Sequence, residues 1–193
     1  MLIAISGGIG SGKSVVSRMV TVLGFDVYDC DSRAKALMDT DPYIKERIRK
    51  EIHPECILTD NGINRKRLAD IVFNDAAALD RLNQIVHSAV RDDIRKWEGA
   101  SDNGIKFVET AILYQSGLDK MVDMVWEIDA PLDLRIERVM KRNSITREEV
   151  LSRIASQDAF TPSALHHKVK QIINDGILPL LPQIERELVD IVL

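Results

Sequence analysis

The chain has 193 residues, 45% of them hydrophobic, enough for one full-sized domain with a core of its own. Its 30 acidic and 26 basic residues leave a formal charge of −4, which excludes the broad basic footprint of a nucleic-acid binder and leaves any anion to a local site. Cys30 and Cys56 form no C-x-x-C pair and suit a reducing compartment. With no signal-peptide pattern and no apolar run of membrane-span length, a soluble cytoplasmic protein is expected, with no membrane partner.

In chain order, the apolar run Leu2 to Ile5 reads as a buried strand. Gly7-Gly8-Ile9-Gly10-Ser11-Gly12-Lys13-Ser14 follows, and fits G-x-x-x-x-G-K-[ST] between that strand and an amphipathic helix, the context the motif requires. Glycines let such a loop turn tightly and aim its N–H groups inward, and the helix N-terminus adds a favourable field. Lys13 reaches the β and γ phosphates and Ser14 ligates Mg²⁺. The ATP-binding set is therefore Gly8, Ile9, Gly10, Ser11, Gly12, Lys13, Ser14 and Val15.

Helix one is predicted over Lys13 to Leu23 with Gly24 ending it, and a second strand over Phe25 to Tyr28. Between Asp31 and Trp97 the pattern is helical: Tyr43 to Ile52, Arg65 to Phe73 and Ala76 to Trp97, with turns at Asp41-Pro42, His53-Pro54 and Asp60-Asn61-Gly62. Strands then recur at Ile105 to Val108 and Met124 to Ile128. A helix over Leu132 to Arg142 follows Pro131, and Thr146-Arg147-Glu148-Glu149 reads as a capping box opening a helix that Thr161-Pro162 closes. A strand at Val169 to Ile173, the Asn174-Asp175-Gly176 turn and a helix from about Pro182 complete the chain. Strands alternating with helices make the fold class α/β, around a mostly parallel sheet.

The phosphate loop leaves the use of the nucleotide open. Neither D-x-x-G nor N-K-x-D of a GTPase switch occurs here. A motor ATPase would be larger and carry a clear acidic strand end for water activation, whereas this chain, with its helical insert, looks built to enclose a second substrate. A small-molecule kinase fits best. Strand two ends in Tyr28-Asp29-Cys30-Asp31, at the sheet edge that faces the ligand crevice in parallel α/β folds. Asp31 there either accepts a proton from an attacking hydroxyl or caps a helix beginning near Arg33.

GGIGSGKS, the D-x-D of Asp29 and Asp31, the R-x-x-x-R of Arg138 and Arg142, and the T-R-E and R-I-x-x-Q stretches after it together resemble the dephospho-CoA kinase family across essentially the whole chain. The resemblance implies a P-loop kinase fold with a core (1–31, 104–135 and 165–193), a helical acceptor-binding insert (about 32–98) and a helical lid (about 136–160). It implies ATP, with Mg²⁺, phosphorylating the ribose 3′-hydroxyl of dephospho-CoA, with Asp31 as the base. Arg138 and Arg142 fall at the lid position, where two guanidiniums on one helical face either clamp ATP oxygens or form a solvated basic face. Asn174 lies where adenine is expected to pack. Acceptor binding is assigned to Asp29, His87 and Glu109, although His87 could equally sit on a helix surface and Glu109 could instead supply a carboxylate near Mg²⁺ or pair with the basic lid. Arg147, Arg153 and Gln157 follow the family stretch with less defined roles. Two departures stand out. The family's L-H-P loop is Val86-His87-Ser88 here, and its P-L-L-F-E is Ala111-Ile112-Leu113-Tyr114-Gln115, without the glutamate.

Overall fold

The protein is described from a computed structural model that covers residues 1–100, 104–158 and 165–192. Five strands, β1 (Leu2–Ser6), β2 (Asp26–Asp29), β3 (Lys106–Glu109), β4 (Met124–Asp129) and β5 (Val169–Ile173), form one sheet in the order β2-β3-β1-β4-β5. Each of the four pairings is parallel. Helices cover both faces of such a sheet, which explains why β1, its middle strand, is a continuous buried run instead of alternating polar and apolar residues. Ile3 and Ile5 of β1, Phe107 of β3, Trp126 and Ile128 of β4 and Ile172 of β5 build the core with Val16 and Val20 of α1 (Lys13–Val22) and Ile184 and Leu188 of α8 (Leu180–Val192). Phe107 packs tilted against Trp126 at 5.0 Å and meets Phe25 edge-on at 5.7 Å.

Helix ends follow the local chemistry. Gly24, at φ +95°, closes α1: its N–H donates to Thr21 O and the Phe25 N–H to Val20 O, the reciprocal pattern that a left-handed residue permits after a helix. The Thr146 capping box forms as expected. Thr146 N donates to Glu149 Oε2 at 2.8 Å and Glu149 N to Thr146 Oγ1 at 3.3 Å, opening α7 (Arg147–Asp158) after α6 (Leu132–Asn143). The stop at Thr161-Pro162 lies outside the described residues. The last helix begins at Leu180, two residues before the predicted start.

Residues 1–29 and 103–193 form one compact unit, and 30–102 a second. The second holds α2 (Cys30–Thr40), α3 (Pro42–Glu51), α4 (Arg65–Asn74) and α5 (Ala76–Gly99). Its core is Ile44, Ile48, Cys56, Ile57, Leu68, Val72, Ala78 and Ile85. Asp41, Asn64 and Asp75 cap α3, α4 and α5. At the Asp60-Asn61-Gly62 turn, Asn61 adopts φ +64° and Ile57 bridges to Ile63.

One expectation changes in this unit. Helix α2 begins at Cys30 and not near Arg33, so Asp31 occupies its first turn, where a carboxylate suits the helix dipole. His87 and Ser88 lie inside α5, as the helical pattern over Ala76 to Trp97 predicts. Serine keeps the backbone N–H that a proline would lack, and α5 runs through this point for 24 residues.

Candidate active site

The phosphate loop leaves β1 at Ser6 and enters α1 through Gly12. Gly12 adopts φ +99°, and a side chain there would also run into the Asn174 amide, so both torsion and space require glycine. It offers no capping side chain and the first turn of α1 holds no acidic residue, so the positive end of the helix is left for an anionic ligand. Lys13 Nζ donates to Gly7 O at 2.8 Å and Gly8 O at 3.3 Å, folded along its own loop beside the position a phosphate would take. Ser14 follows with an exposed side chain, as does Val15.

Long-range side chains fix the loop from outside. Arg138 donates to Gly10 O and Ser11 O, both at 3.4 Å, and to Asn174 O at 3.1 Å, while Asn174 Nδ2 donates to Ser11 O at 2.7 Å. Arg138 and Asn174, both expected near ATP, are thus joined to the loop and to each other. Arg142 stands exposed in the last turn of α6, bonded to Asn143 at 2.9 Å, and Arg147 bonds Asp133 at 2.8 Å. The two arginines of R-x-x-x-R therefore occupy different settings in this structure, with Arg138 against the loop and Arg142 in solvent.

The carboxyl edge of the sheet is acidic. Asp29 of β2 is in register with Glu109 of β3, Glu109 with Ile5 of β1, and Ser6 of β1 with Glu127 of β4. Carboxylates therefore flank the end of β1 on both sides. Acidic strand ends do occur here, so size and the helical insert, not the lack of such an end, separate this chain from a motor ATPase. Burial pushes the Glu127 carboxyl above its ordinary range; a hydrogen bond with Ser6 and the charges of Lys13 and Arg135 oppose the shift, and Asp129 adds to it. A pocket of about 230 Å³ opens here, lined by Ser6, Gly7, Gly8, Gln115, Glu127 and Gln157 among others. Gln115 thus takes part in the pocket wall as an amide where the family pattern has a carboxylate.

In the helical unit, Asp31 lies in the first turn of α2 with an exposed side chain. His87 is half-buried in α5; burial, reinforced by Arg91 and opposed by Asp80, pushes its imidazole below the usual histidine range, favouring the neutral form. Sequence reasoning missed Glu127 and Arg135 and left Gln157 without a role. A single acid in the apolar run MVWEID was the available signal for Glu127, and the spacing of Arg135 three residues before Arg138 was the signal for the second arginine.

A family model for dephospho-CoA kinase matches residues 1–178. The dephospho-CoA kinase of Porphyromonas gingivalis is 38% identical over 185 residues, 95% of this chain and 91% of that protein. A crystal structure from Thermus thermophilus is similar with a TM-score of 0.76 at 28% identity, covering 100% of this chain and 96% of that one. The dephospho-CoA kinase from Campylobacter jejuni shares the fold with a TM-score of 0.67 at 23% identity, over 98% and 96% of the two chains. With a parallel five-stranded sheet, a phosphate loop between β1 and α1, and a match that runs from the first residue to Leu178, just short of α8, the chain belongs to the dephospho-CoA kinase family.

Proposed function

We propose that the protein transfers the γ-phosphoryl group of ATP to the ribose 3′-hydroxyl of dephospho-CoA, giving coenzyme A and ADP. The observation that carries this reading is the uncapped start of α1 with Lys13 held at the mouth of its loop, in a chain of this family. The loop N–H groups and Lys13 hold the β and γ phosphates, and Asn174 borders the nucleotide site. The acceptor 3′-oxygen attacks the γ-phosphorus, its proton passes to the Asp31 carboxylate, and the bond to the β,γ-bridging oxygen breaks to release ADP. Arg138 supports the loop from α6, and Arg142 meets the transferring phosphoryl group when the 136–160 segment closes as a lid.

Asp29, Glu109 and His87 are assigned to the acceptor, the last from the helical segment 32–98, which supplies the acceptor-binding insert. The Ser14 hydroxyl and the hard carboxylate oxygens at the strand ends fit Mg²⁺, an ion held by few protein ligands together with substrate phosphates. When bound with ATP, it neutralises charge on the β and γ oxygens. Two buried thiols, Cys30 and Cys56, suit a cytoplasmic setting. Among the described residues no helix is long and apolar enough to cross a membrane.

The test is transfer from MgATP to a panel of acceptors. Dephospho-CoA should give coenzyme A carrying a new 3′-phosphate, identified by mass and phosphorus NMR, while nucleosides, shikimate and gluconate give no product, and EDTA should abolish transfer until Mg²⁺ is restored. Preferred transfer to another acceptor would reassign the substrate. Tight ATP binding without transfer to any acceptor would point to a nucleotide-sensing module.

A further inference from the structure

Ile9, in the middle of the phosphate loop, is gripped on three sides by the α6–α7 helix pair. Its side chain packs against the cluster of Ile136, Val139, Val150 and Ile154. Its carbonyl accepts from Arg135 Nε at 2.9 Å, and its N–H donates to Gln157 Oε1 at 2.8 Å. The other end of the Gln157 amide donates to Ala111 O at 2.7 Å, just past β3, and reaches Gly7 O at 3.4 Å. Both peptide planes flanking Ile9 are thereby fixed by side chains more than a hundred positions away.

Arg135 also explains Gly8. Gly8 has no left-handed torsion, yet a Cβ there would collide with the Arg135 guanidinium, approaching Cζ to 2.5 Å and Nη1 to 2.9 Å. Glycine leaves room for the guanidinium that the bond to Ile9 O holds against the loop. Arg135 Nη2 is shielded from solvent and finds no hydrogen-bond partner among the described residues. The guanidinium charge is felt by the Glu127 carboxyl, yet a charged nitrogen buried without a hydrogen bond remains costly. A positive charge pressed against the loop does have a use there, since it adds to the field that receives phosphate oxygens.

We propose that Arg135 and Gln157 are positioning residues for phosphoryl transfer: they act through Ile9 and Gly8, orienting the loop N–H groups toward the nucleotide phosphates and coupling the loop to α6 and α7. The inference rests on the phosphate-loop reading, and Lys13→Met serves as its control. Arg135→Met keeps the aliphatic stem and should weaken MgADP binding and lower kcat/KM for ATP by about tenfold each, the size expected for a charge-assisted hydrogen bond. The KM for dephospho-CoA should stay within about twofold, a split that general destabilisation would not produce. Arg135→Lys should fall between wild type and Arg135→Met, because an ammonium keeps the charge but not the fork. Gln157→Glu can still accept from Ile9 N but cannot donate to Ala111 O, and should be as impaired as Gln157→Ala.

The Gly8 contact supplies a second readout. Gly8→Ala should weaken ADP binding in the wild-type background and add no further loss in Arg135→Ala, where the methyl fills vacated space, a coupling that a double-mutant cycle measures. ADP affinity and kcat/KM within twofold of wild type in folded Arg135→Met and Gln157→Ala, or equal damage from Gly8→Ala in both backgrounds, overturns the proposal. Should Arg135→Met not fold, unchanged ADP affinity in Arg135→Lys overturns it. If Lys13→Met itself leaves binding and turnover at wild-type levels, the phosphate-loop reading is at fault and not the positioning role.

Discussion

The phosphate loop and the helical unit are stabilised by opposite kinds of contact. In the loop, Ile9, Ser11 and their neighbours are tied to Arg135, Gln157 and Asn174 across 126 to 163 positions of sequence. Polar contacts in the helical unit are mostly local: Arg47 to Glu51, Lys50 to Glu46 and Arg95 to Asp92 each lie within one turn, and the Asp41, Asn64 and Asp75 caps reach two or three residues ahead. Short-range contacts form with their helix and cost little chain entropy, whereas remote ones exist only once the whole sheet has assembled. Nucleotide chemistry therefore depends on complete folding of its unit, and a helical unit held by an apolar core with local capping tolerates surface change.

The largest expected effect tests whether the helical unit contributes chemistry or packing alone. Asp31→Asn keeps the shape and the hydrogen-bond acceptor but removes the proton acceptor. Single-turnover transfer from ATP to dephospho-CoA should fall by about 10²- to 10⁴-fold, the usual contribution of a positioned acid or base, with ATP affinity measured separately and little changed. A near-normal rate would leave Asp31 as a first-turn acid of α2 and pass the role to Asp29.

The two arginines of α6 sharpen the contrast within the nucleotide unit. Arg138→Ala breaks bonds to Gly10, Ser11 and Asn174 together, so nucleotide affinity and melting temperature should both drop, with affinity down about tenfold. Arg142→Ala removes an exposed residue and should leave stability unchanged while slowing turnover, because its proposed partner is the moving phosphoryl group. Equal kinetics for Arg142→Ala and wild type would assign Arg142 to the solvated face.

This division also governs how much the sequence revealed. All five strands were legible: β1, β3 and β4 as short, largely buried apolar runs, and the edge strands β2 and β5 as short β-branched or aromatic runs with turn residues at one end. Helices α3 to α7 were legible because their apolar period and caps are local. The loop was legible as a motif, since Gly12, Lys13 and Ser14 carry their chemistry in their spacing. What grips the loop was not. Nothing near Ile9 announces Arg135 or Gln157, whose roles arise from α6 and α7 packing against Ile9 itself. Glu127 escaped for a related reason: its environment is set by Ser6 on the neighbouring strand and by Lys13, neither of them close in sequence. The start of α2 at Cys30 was missed because a strand passes into a helix there with no intervening turn residue.

Glu127 gives a smaller effect with a definite sign. Burial raises its folded-state pKa above the unfolded value, so the folded state holds more protons over the window between the two. Stability is greatest below the ordinary glutamate value of 4.5, falls as pH rises through that window, and stays lower above it. Glu127→Gln lacks this loss and keeps a partner for Ser6. Its melting temperature should exceed that of wild type at neutral pH, with the gap closing as pH drops below 4.5. A gap independent of pH would show that the difference comes from packing and not from the buried charge.

The smallest effect belongs to the helical surface and tests the comparison directly. Arg95 and Asp92 form a 2.6 Å pair three residues apart on α5, with side chains 60% and 63% exposed. Such a pair is screened by solvent, and holding two long side chains together costs entropy, so Arg95→Ala should change unfolding free energy by about 0.2–0.5 kcal/mol and less at high salt. Arg33 and Asp93 lie 60 residues apart, yet join α2 to α5 through two bonds to one carboxylate oxygen at 2.7 and 3.0 Å, with Asp93 only 19% exposed. Arg33→Ala should therefore cost more than Arg95→Ala in the same urea titration. If instead the local pair costs as much as the remote one, local contacts are not the expendable class in this unit, and its tolerance of surface change must come from the apolar core around Ile44, Ile48 and Ile85 alone.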